Sequence, residues 1–211
     1  MYTILIVDDS PMIVDVFVTM LERGGYRPIT AFSGGECLET LKSTTPDLVL
    51  LDIMMEPMDG WETLEKIKTN PETRNIPVLM LTAKPLTPEE ANQYGVYIED
   101  YILKPTTHHQ LYEAIEHVLA RRHSIAADIE RAREAGVDHR IIDEYERLSK
   151  SVDINKRLLK ILETTYSIKD TRAGMGENIM RAIKSMATSI KLQDERLNQI
   201  RSQFSDVFEA R

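Results

Sequence analysis

The pattern of hydrophobic and polar positions divides the chain into two parts. In the first part, short apolar runs alternate with segments whose apolar residues recur every three or four positions, which is typical of strands alternating with helices. The predicted strands are Thr3–Val7, Arg27–Ala31, Leu48–Leu51, Ile76–Thr82 and Tyr101–Leu103. A predicted helix follows each of them, opening near positions 11, 34, 61, 88 and 107. Five such repeats predict the α/β class, a parallel five-stranded sheet with helices on both faces.

The fifth helix continues into the second part of the chain. From Leu111 onward its apolar residues are spaced alternately four and three apart, and this rhythm persists beyond the last βα repeat. The pattern predicts one continuous helix to about Ala135. Gly136 is expected to end it, and Asp138 to cap the next helix.

Two further heptad seams predict a coiled-coil-like pair of helices, one from Ile141 to Tyr166 and one from Ile179 to Val207. A glycine pair lies between them, so we expect the chain to fold back at Gly174 into an antiparallel helical hairpin. In that register Asn155 faces Gln193, and a satisfied amide pair would help to set the alignment.

Several apolar residues lie off the seam of this hairpin, namely Ile142, Leu158 and Ile161. Two helices alone leave such residues exposed, so another surface must cover them. A second copy of the chain, making a homodimeric four-helix bundle, is the first hypothesis. Packing of the hairpin against the first part of the same chain is the alternative.

Charge and composition support the division. Residues 1–120 hold 8 basic and 19 acidic side chains, net −11, and residues 121–211 hold 18 and 15, net +3, which together give the total of −8. All nine prolines precede His108. The predicted domains are an α/β domain over 1–122, a helical extension over 123–137 and the hairpin over 138–211.

No apolar run approaches the ~18 residues that a membrane-spanning helix needs, and Met1 leads directly into a strand without a targeting segment. The sequence therefore predicts a soluble cytoplasmic protein. Cys37 has no second cysteine to pair with and is interpreted as a small buried residue.

Reactive side chains follow four of the five predicted strands. Asp8 and Asp9 follow the first strand, Asp52 the third, Thr82 the fourth and Lys104 the fifth. Because the carboxyl ends of parallel strands meet at one edge of the sheet, we expect these side chains to converge there. Taken singly, each has a structural explanation as a helix cap, a turn residue or a solvated charge.

Together these groups predict phosphoryl chemistry. Three close carboxylates repel one another unless a cation is bound, and their oxygens suit a hard divalent ion, Mg²⁺ by preference. The metal and the Lys104 ammonium would neutralise an incoming phosphoryl group, so that the Asp52 carboxylate can attack phosphorus in line. Thr82 is placed to donate a hydrogen bond to a phosphoryl oxygen.

With these residues the first part resembles the receiver domain of two-component response regulators. The resemblance covers residues 1–122 and implies a flavodoxin-like, doubly wound fold. The matching motifs are Asp8-Asp9, Asp52, Met58-Asp59-Gly60, Thr82-Ala83 and Tyr101-Ile102-Leu103-Lys104-Pro105.

The resemblance also implies a site and a partner. It implies that Mg²⁺ is bound by Asp9, Asp52 and the backbone carbonyl of Met54, with Asp8 acting through water. It implies that a histidine kinase phosphorylates Asp52. No separate enzymatic output is expected beyond this self-catalysed transfer and a slow dephosphorylation.

The resemblance further implies a switch. Thr82 is expected to move toward the phosphoryl group, and Tyr101 to turn inward behind it, where a simple core aromatic is the alternative interpretation. The peptide bond before Pro105 is expected to be cis.

Two departures from the family pattern bear on this expectation. The proline that usually lies four residues after the phosphoacceptor is Glu56 here, and Pro57 follows it. The variable positions are Met54 and Lys84. Met54 is apolar and large enough to shield an acyl phosphate from water, and Lys84 could hold a phosphate oxygen, which predicts slow self-dephosphorylation.

Three hypotheses describe the output of the second part. The first is a dimerisation and protein-interaction module whose downstream partner the sequence does not identify. The second is a transcriptional regulator that binds nucleic acid, although +3 over 91 residues with interspersed signs is a weak electrostatic footprint. The third is a phosphorelay intermediate in which His123 or His139 receives the phosphoryl group from Asp52.

Overall fold

The computed structural model describes the backbone of residues 1–166 and 175–209, and the side chains of residues 1–166 and 177–203. Twelve elements follow one another in this part of the chain. In order they are β1 Thr3–Val7, α1 Pro11–Arg23, β2 Arg27–Ala31, α2 Gly34–Ser43, β3 Leu48–Leu51, α3 Gly60–Thr69, β4 Val78–Thr82, α4 Pro88–Tyr94, β5 Asp100–Leu103, α5 His108–Glu134, α6 His139–Thr165 and α7 Met175–Glu209. The predicted alternation of strands and helices is confirmed.

The chain forms two compact units. Unit 1 consists of Met1–Pro85 and Tyr97–Glu116, and unit 2 consists of Leu86–Val96 and His117–Arg211. Helix α4 therefore groups with the helical unit, although in sequence it belongs to the βα repeats. The domain boundaries drawn from the sequence stay a prediction.

Unit 1 is built on a five-stranded sheet in the order β2-β1-β3-β4-β5, in which every neighbouring pair is parallel. Strands β1, β3 and β4 are the central ones, and their side chains are almost completely buried. Their continuous apolar runs are what burial on both faces requires. The α/β prediction is confirmed, and the strand ends align at one edge of the sheet.

Gly60 holds the turn after β3 close to the backbone of that strand's end. A Cβ atom at this position would lie 2.1 Å from the Asp52 carbonyl oxygen and 2.7 Å from the Ile53 Cα. The Gly60 amide donates to the Ile53 carbonyl at 3.0 Å. Only a residue without a side chain fits this close approach. Helix α3 then begins at Gly60, where the Asp59 carboxylate accepts from the Glu62 amide at 2.8 Å.

Unit 2 contains α4, the later turns of α5, and the helices α6 and α7. Helix α5 runs without interruption to Glu134, as its apolar rhythm predicts. The chain then turns at Gly136, whose φ of +73° is the left-handed conformation that favours glycine. Asp138 caps α6 by accepting from the Arg140 amide at 2.8 Å, which confirms the predicted cap.

The core of unit 2 joins α5, α6 and α7 in one apolar cluster. Early residues of α6 pack with late residues of α7, so the two helices are antiparallel, as predicted. The buried members are Ile129, Ala132, Ile142, Tyr145, Leu148, Val152, Leu197 and Ile200. The predicted fold-back at Gly174 and the seam residues from Phe204 onward lie outside the residues whose side chains are described.

Two of the three off-seam apolar residues are covered within unit 2 itself. Ile142 packs in the three-helix cluster, and Leu158 is fully buried, with its side chain near Gly95 at the end of α4. Ile161 is half-buried. The covering surface for Ile142 and Leu158 is therefore supplied by α5 and α4 rather than by a second chain.

The side-chain amides of Asn155 and Gln193, which were predicted to face one another, are linked through the Ser151 hydroxyl. Asn155 Nδ2 donates to Ser151 Oγ at 3.1 Å, and Ser151 Oγ donates to Gln193 Oε1 at 3.3 Å. The direct Asn155–Gln193 pair is thus wrong in detail. The predicted register holds to within one helical turn, since Lys156 Nζ donates to Asp194 Oδ2 at 2.7 Å while Gln193 accepts from Ser151.

A polar contact ties α5 to α6. The Asp153 carboxylate accepts from the Arg121 guanidinium and lies 2.9 Å from His117 Nε2. Burial alone would raise the pKa of Asp153, but the hydrogen bond with His117 and the charge of Arg121 hold that pKa below its usual value. This acid is therefore held in its charged form between the two helices.

The structure also bears on the predictions for Cys37 and for membrane-spanning helices. Cys37 is fully buried, and burial raises the pKa of its thiol to about 12, as expected of an unreactive cysteine. Within the described residues, no helix has a stretch both long and apolar enough to cross a bilayer.

Replacing Gly60 by alanine tests the close approach at the end of β3. We expect Gly60→Ala to lower the free energy of unfolding of unit 1 by about 2–4 kcal/mol, since the new methyl group must displace strand backbone. Urea titration followed by the fluorescence of Trp61, the single tryptophan, measures it. Gly35→Ala is the matched control. An added Cβ there meets only Ser33 Oγ at 3.9 Å, so the midpoint should stay or rise slightly. Equal midpoints for the two variants would contradict the prediction.

Candidate functional site

Asp52 lies at the carboxyl end of β3, in the centre of the sheet edge. Its backbone amide donates to the Val7 carbonyl at 2.9 Å, which fixes it beside the end of β1. The residue is 6% exposed, and its Oδ1 atom accepts no hydrogen bond from any described residue. The Lys104 ammonium lies 3.4 Å from Oδ1, an ion-pair distance without hydrogen-bond geometry. A buried carboxylate oxygen is therefore left open to a ligand or cation.

Two further acids come from the end of β1. Asp8 is 3% exposed, and its Oδ1 accepts from the Ser10 amide at 2.9 Å. Asp9 is exposed. One carboxylate oxygen each from Asp8, Asp9 and Asp52 can be chosen so that all three lie within 4.8 Å of one another. The structure thus brings together the three side chains that were predicted to bind a metal.

Lys104 is the counter-charge for this acidic cluster. Its ammonium donates to Asp8 Oδ2, and its backbone amide donates to the Thr82 carbonyl at 2.8 Å. The side chain is only 15% exposed, so water screens its charge weakly. The Lys104–Pro105 peptide bond is cis, as expected. The strand end after β5 is therefore held against the strand end after β4.

Thr82 and Tyr101 are both buried behind the cluster. The Thr82 hydroxyl oxygen accepts from the Lys84 amide at 3.2 Å. The Tyr101 hydroxyl donates to the Lys84 carbonyl at 2.6 Å, and its ring stacks on Trp61 with centroids 6.4 Å apart. Tyr101 is 3% exposed, which fits a core aromatic as well as an inward switch position, so its predicted turning stays a prediction. Lys84 thus contacts both predicted switch residues through its backbone.

The loop after Asp52 carries the departures from the family pattern. The Met54 side chain is 60% exposed rather than buried in the core. The Glu56–Pro57 peptide bond is cis. The neighbours of Met54, Ile53 and Met55, are buried and hold the loop through a 3.0 Å hydrogen bond from the Met55 amide to the Ile53 carbonyl.

The donor set fits a divalent cation. Three carboxylates with one ammonium leave an excess of two negative charges in a largely buried site. Carboxylate and carbonyl oxygens are the ligands that hard ions prefer, and the open Oδ1 of Asp52 supplies an unsatisfied acceptor. A doubly charged ion of the Mg²⁺ type therefore balances the charge of this cluster.

Some residues of the site carried no recognisable signal in the sequence. The Trp61–Tyr101 stack depends on how distant elements pack, whereas the Ser10 amide that donates to Asp8 is only two residues away from it along the chain. The candidate relay histidines lie elsewhere. His123 Nδ1 is 2.9 Å from the Leu119 carbonyl of its own helix, and the His139 side chain is 81% exposed beside Asp138.

Two family models match the chain in succession. Residues 4–116 match the response regulator receiver domain, and residues 121–207 match the family described as "Metanogen output domain 2". Protein PilH of Pseudomonas aeruginosa is 33% identical over 120 residues, which are 57% of this chain and 99% of that protein. Other curated relatives are matched over only part of their length, 24% in one case and 50% in another.

Solved structures resemble the same part of the chain. A CheY-like receiver domain protein from Methanospirillum hungatei is 30% identical with a TM-score of 0.53, covering 59% of this chain and 98% of that one. The receiver domain of sensor histidine kinase PA1611 from P. aeruginosa is 25% identical with a TM-score of 0.52, covering 56% and 98%. Its structure has a magnesium ion coordinated in the active-site cleft.

The convergence of Asp8, Asp9, Asp52, Thr82 and Lys104 at one sheet edge agrees with these matches. The five-stranded parallel sheet agrees with them as well. The chain belongs to the response regulator receiver family, with a second, helical region that follows the receiver fold.

Proposed function

We propose that this chain accepts a phosphoryl group on Asp52 from the phosphohistidine of a histidine kinase, in the cytoplasm. The observation that carries the proposal is the Asp52 Oδ1 atom, which is buried, accepts no hydrogen bond from a described residue, and lies 3.4 Å from the Lys104 ammonium. A nucleophile needs such a free oxygen, and the nearby positive charge stabilises the phosphoryl oxygens as they approach.

The residues of the site divide the work of the transfer. A carboxylate oxygen of Asp52 forms the new bond to phosphorus while the phosphorus–nitrogen bond to the kinase histidine breaks, and the histidine nitrogen keeps the electron pair. Asp8 accepts a hydrogen bond from Lys104 and so positions its ammonium. Thr82 provides a hydroxyl donor for a phosphoryl oxygen. No enzymatic activity beyond this transfer and the loss of the phosphoryl group is proposed.

Mg²⁺ is the proposed cofactor. Asp8, Asp9, Asp52 and the backbone carbonyl of Met54 would hold it. When bound, such an ion supplies positive charge to the phosphoryl oxygens and offsets the repulsion among the carboxylates. The excess of two negative charges in the cluster and the magnesium ion in the PA1611 receiver structure support this assignment.

Lys84 is the proposed residue through which phosphorylation changes the structure around Thr82 and Tyr101. The Thr82 hydroxyl oxygen accepts from its amide, and Tyr101 donates to its carbonyl. A phosphoryl group that binds the Thr82 hydroxyl changes the hydrogen bond between that hydroxyl and the Lys84 amide. A shift of the Lys84 backbone also moves its carbonyl, and the Tyr101 hydroxyl that donates to this carbonyl then favours a new position. Pro85, Leu86 and Thr87 connect Lys84 to α4, which packs on α6 and α7 within unit 2. Movement of this segment would therefore alter helix packing in that unit.

We further propose that residues 121–207 are a protein-interaction output and that they form a homodimer. The match to a family described as an output domain supports the first statement. Support for the second is the exposed Leu192, at 63%, and the half-buried Ile161, both on the helical hairpin. Ile142 and Leu158 are buried within one chain, so these two residues do not require a second copy to cover them.

Asp52→Asn tests the phosphoacceptor. Incubated with Mg²⁺ and acetyl phosphate, the wild-type chain should gain one phosphoryl group by intact-mass spectrometry, and Asp52→Asn should gain none, because an amide is too weak a nucleophile. Asp59→Asn is the matched control. Asp59 lies on the same loop but caps α3, and asparagine caps as well as aspartate does. Full labelling of Asp52→Asn would contradict the proposal.

Met54→Asn tests how the phosphoryl group is protected from water. We expect the phosphorylated lifetime to shorten by about tenfold, which corresponds to ~1.4 kcal/mol of barrier, because a polar side chain admits and orients water. Loss of the acyl phosphate is followed by mass after removal of the donor. Met12→Asn changes another exposed methionine, 76% exposed on α1, and should leave the lifetime unchanged. An unchanged lifetime in Met54→Asn would remove this hypothesis.

The oligomeric state is measured by size-exclusion chromatography with light scattering, with and without beryllofluoride. We expect a mass of about twice the 24.2 kDa of one chain in at least one state. Leu192→Glu should shift the population to the monomer because it places a charge in the interface. Met12→Glu, at an exposed position of unit 1, should not. A single-chain mass under both conditions would contradict dimerisation.

A further inference from the structure

Unit 2 contains a cavity of about 540 Å³ between α4, α6 and α7. This volume lies within the range of roughly 300–1,000 Å³ that is usual for small-molecule sites. All of its lining residues belong to one compact unit. Phosphoryl chemistry at Asp52 makes no use of this cavity, so its lining requires an explanation of its own.

The α6 and α7 walls present hydrogen-bonding groups that remain open. The relay Asn155–Ser151–Gln193 uses the Ser151 hydroxyl, one N–H of Asn155 and the Gln193 carbonyl. Within the described part of the chain, the Asn155 carbonyl oxygen and the Gln193 amide N–H groups have no partner. A bound molecule that both donates and accepts would satisfy them.

Two hydroxyl groups continue this polar wall along α7. Ser185 and Ser189 line the cavity one helical turn apart, and Gln193 follows one turn later. At a rise of 1.5 Å per residue the two serines are separated by about 6 Å along the helix axis. Each hydroxyl can donate or accept. This spacing suits a ligand that carries several hydroxyl groups.

Apolar side chains form part of the remaining lining, to which Glu89 and Asn92 of α4 also contribute. Ala91 and Ile190 are buried beneath the cavity, and Met186 is half-buried beside them. Methionine and isoleucine side chains pack well against the face of a flat ring. The cavity therefore combines an apolar surface with an amide edge and a row of hydroxyl groups.

Charge limits the kind of ligand. Among the residues that line the cavity in the described part of the chain, Glu89 of α4 is the only charged one. No lysine, arginine or histidine is among them, so a phosphate or carboxylate would enter without a counter-charge and be repelled by Glu89. Anionic ligands are thus disfavoured.

We propose that this cavity binds an uncharged, hydroxylated small molecule with an amide-like edge, of which a nucleoside without phosphate is the type. Asn155 and Gln193 bind the edge, where a donor and an acceptor lie side by side. Ser185 and Ser189 bind the hydroxyl groups, and the apolar wall covers the ring. Occupancy joins α4 to the α6–α7 hairpin, and it does not require phosphorylation of Asp52.

The test uses the full chain and small molecules as probes. Adenosine, uridine and nicotinamide are titrated separately by isothermal calorimetry, and the ¹³C-methyl resonance of Met186 reports where they bind. We expect saturable binding of a nucleoside with a shift of that resonance, and binding of its 5′-monophosphate about tenfold or more weaker, because the cavity has no cation. Binding of nicotinamide alone would assign the site to a simple amide and overturn the nucleoside class.

Variants show whether the cavity itself is the site. Filling it with Ser185→Leu and Ser189→Leu together should weaken nucleoside binding by about tenfold or more, since two hydroxyl contacts are lost. Thr188→Leu, on the same helix but outside the lining, should leave it unchanged. Should the double variant lose helicity, the Met186 resonance of the wild-type chain decides alone. No shift with any nucleoside, or equal affinity for the monophosphate, overturns the proposal.

Discussion

Three carboxylates held beside a single ammonium at the end of a buried sheet are the constraint on which the receiver part of this chain depends. Asp8 and Asp52 are almost fully buried and contact the same Lys104 side chain. Such an arrangement costs free energy unless a further positive charge is present, because water screens the two buried acids, Asp8 and Asp52, only weakly. The arrangement of charges therefore fits a cation, as proposed for Mg²⁺.

The rest of unit 1 serves to keep these groups together. Parallel pairing of β1, β3, β4 and β5 brings their carboxyl ends to one edge. Gly60 allows the loop after Asp52 to return onto the strand, and the Lys104 amide donates to the Thr82 carbonyl at 2.8 Å. A receiver with this edge needs little more than positioned charges, since phosphoryl transfer rests on positioning and electrostatics.

Helix α4 has two roles that the chain order does not reveal. In sequence it is the fourth helix of the βα repeats, whereas by packing it belongs to unit 2, with α6 and α7. The segment that leaves Thr82 and Lys84 thus leads directly into the helical unit. This short helix, which packs on α6 and α7, also forms one wall of the cavity.

The sequence by itself determined the alternation of strands and helices, the convergent residues and the continuous α5, because these follow from local periodicity and from the geometry of parallel sheets. Only the tertiary structure decided that Ser151, rather than Asn155, meets Gln193, and that α4 and α5 cover Leu158 and Ile142. Heptad spacing gives the facing positions of two helices only to within about one turn, so it does not determine which of two side chains one turn apart makes a polar contact. Which side chains pair, and which helix covers an apolar residue, depend on contacts between segments that are distant in sequence. The local hydrophobic pattern contains no information about such contacts.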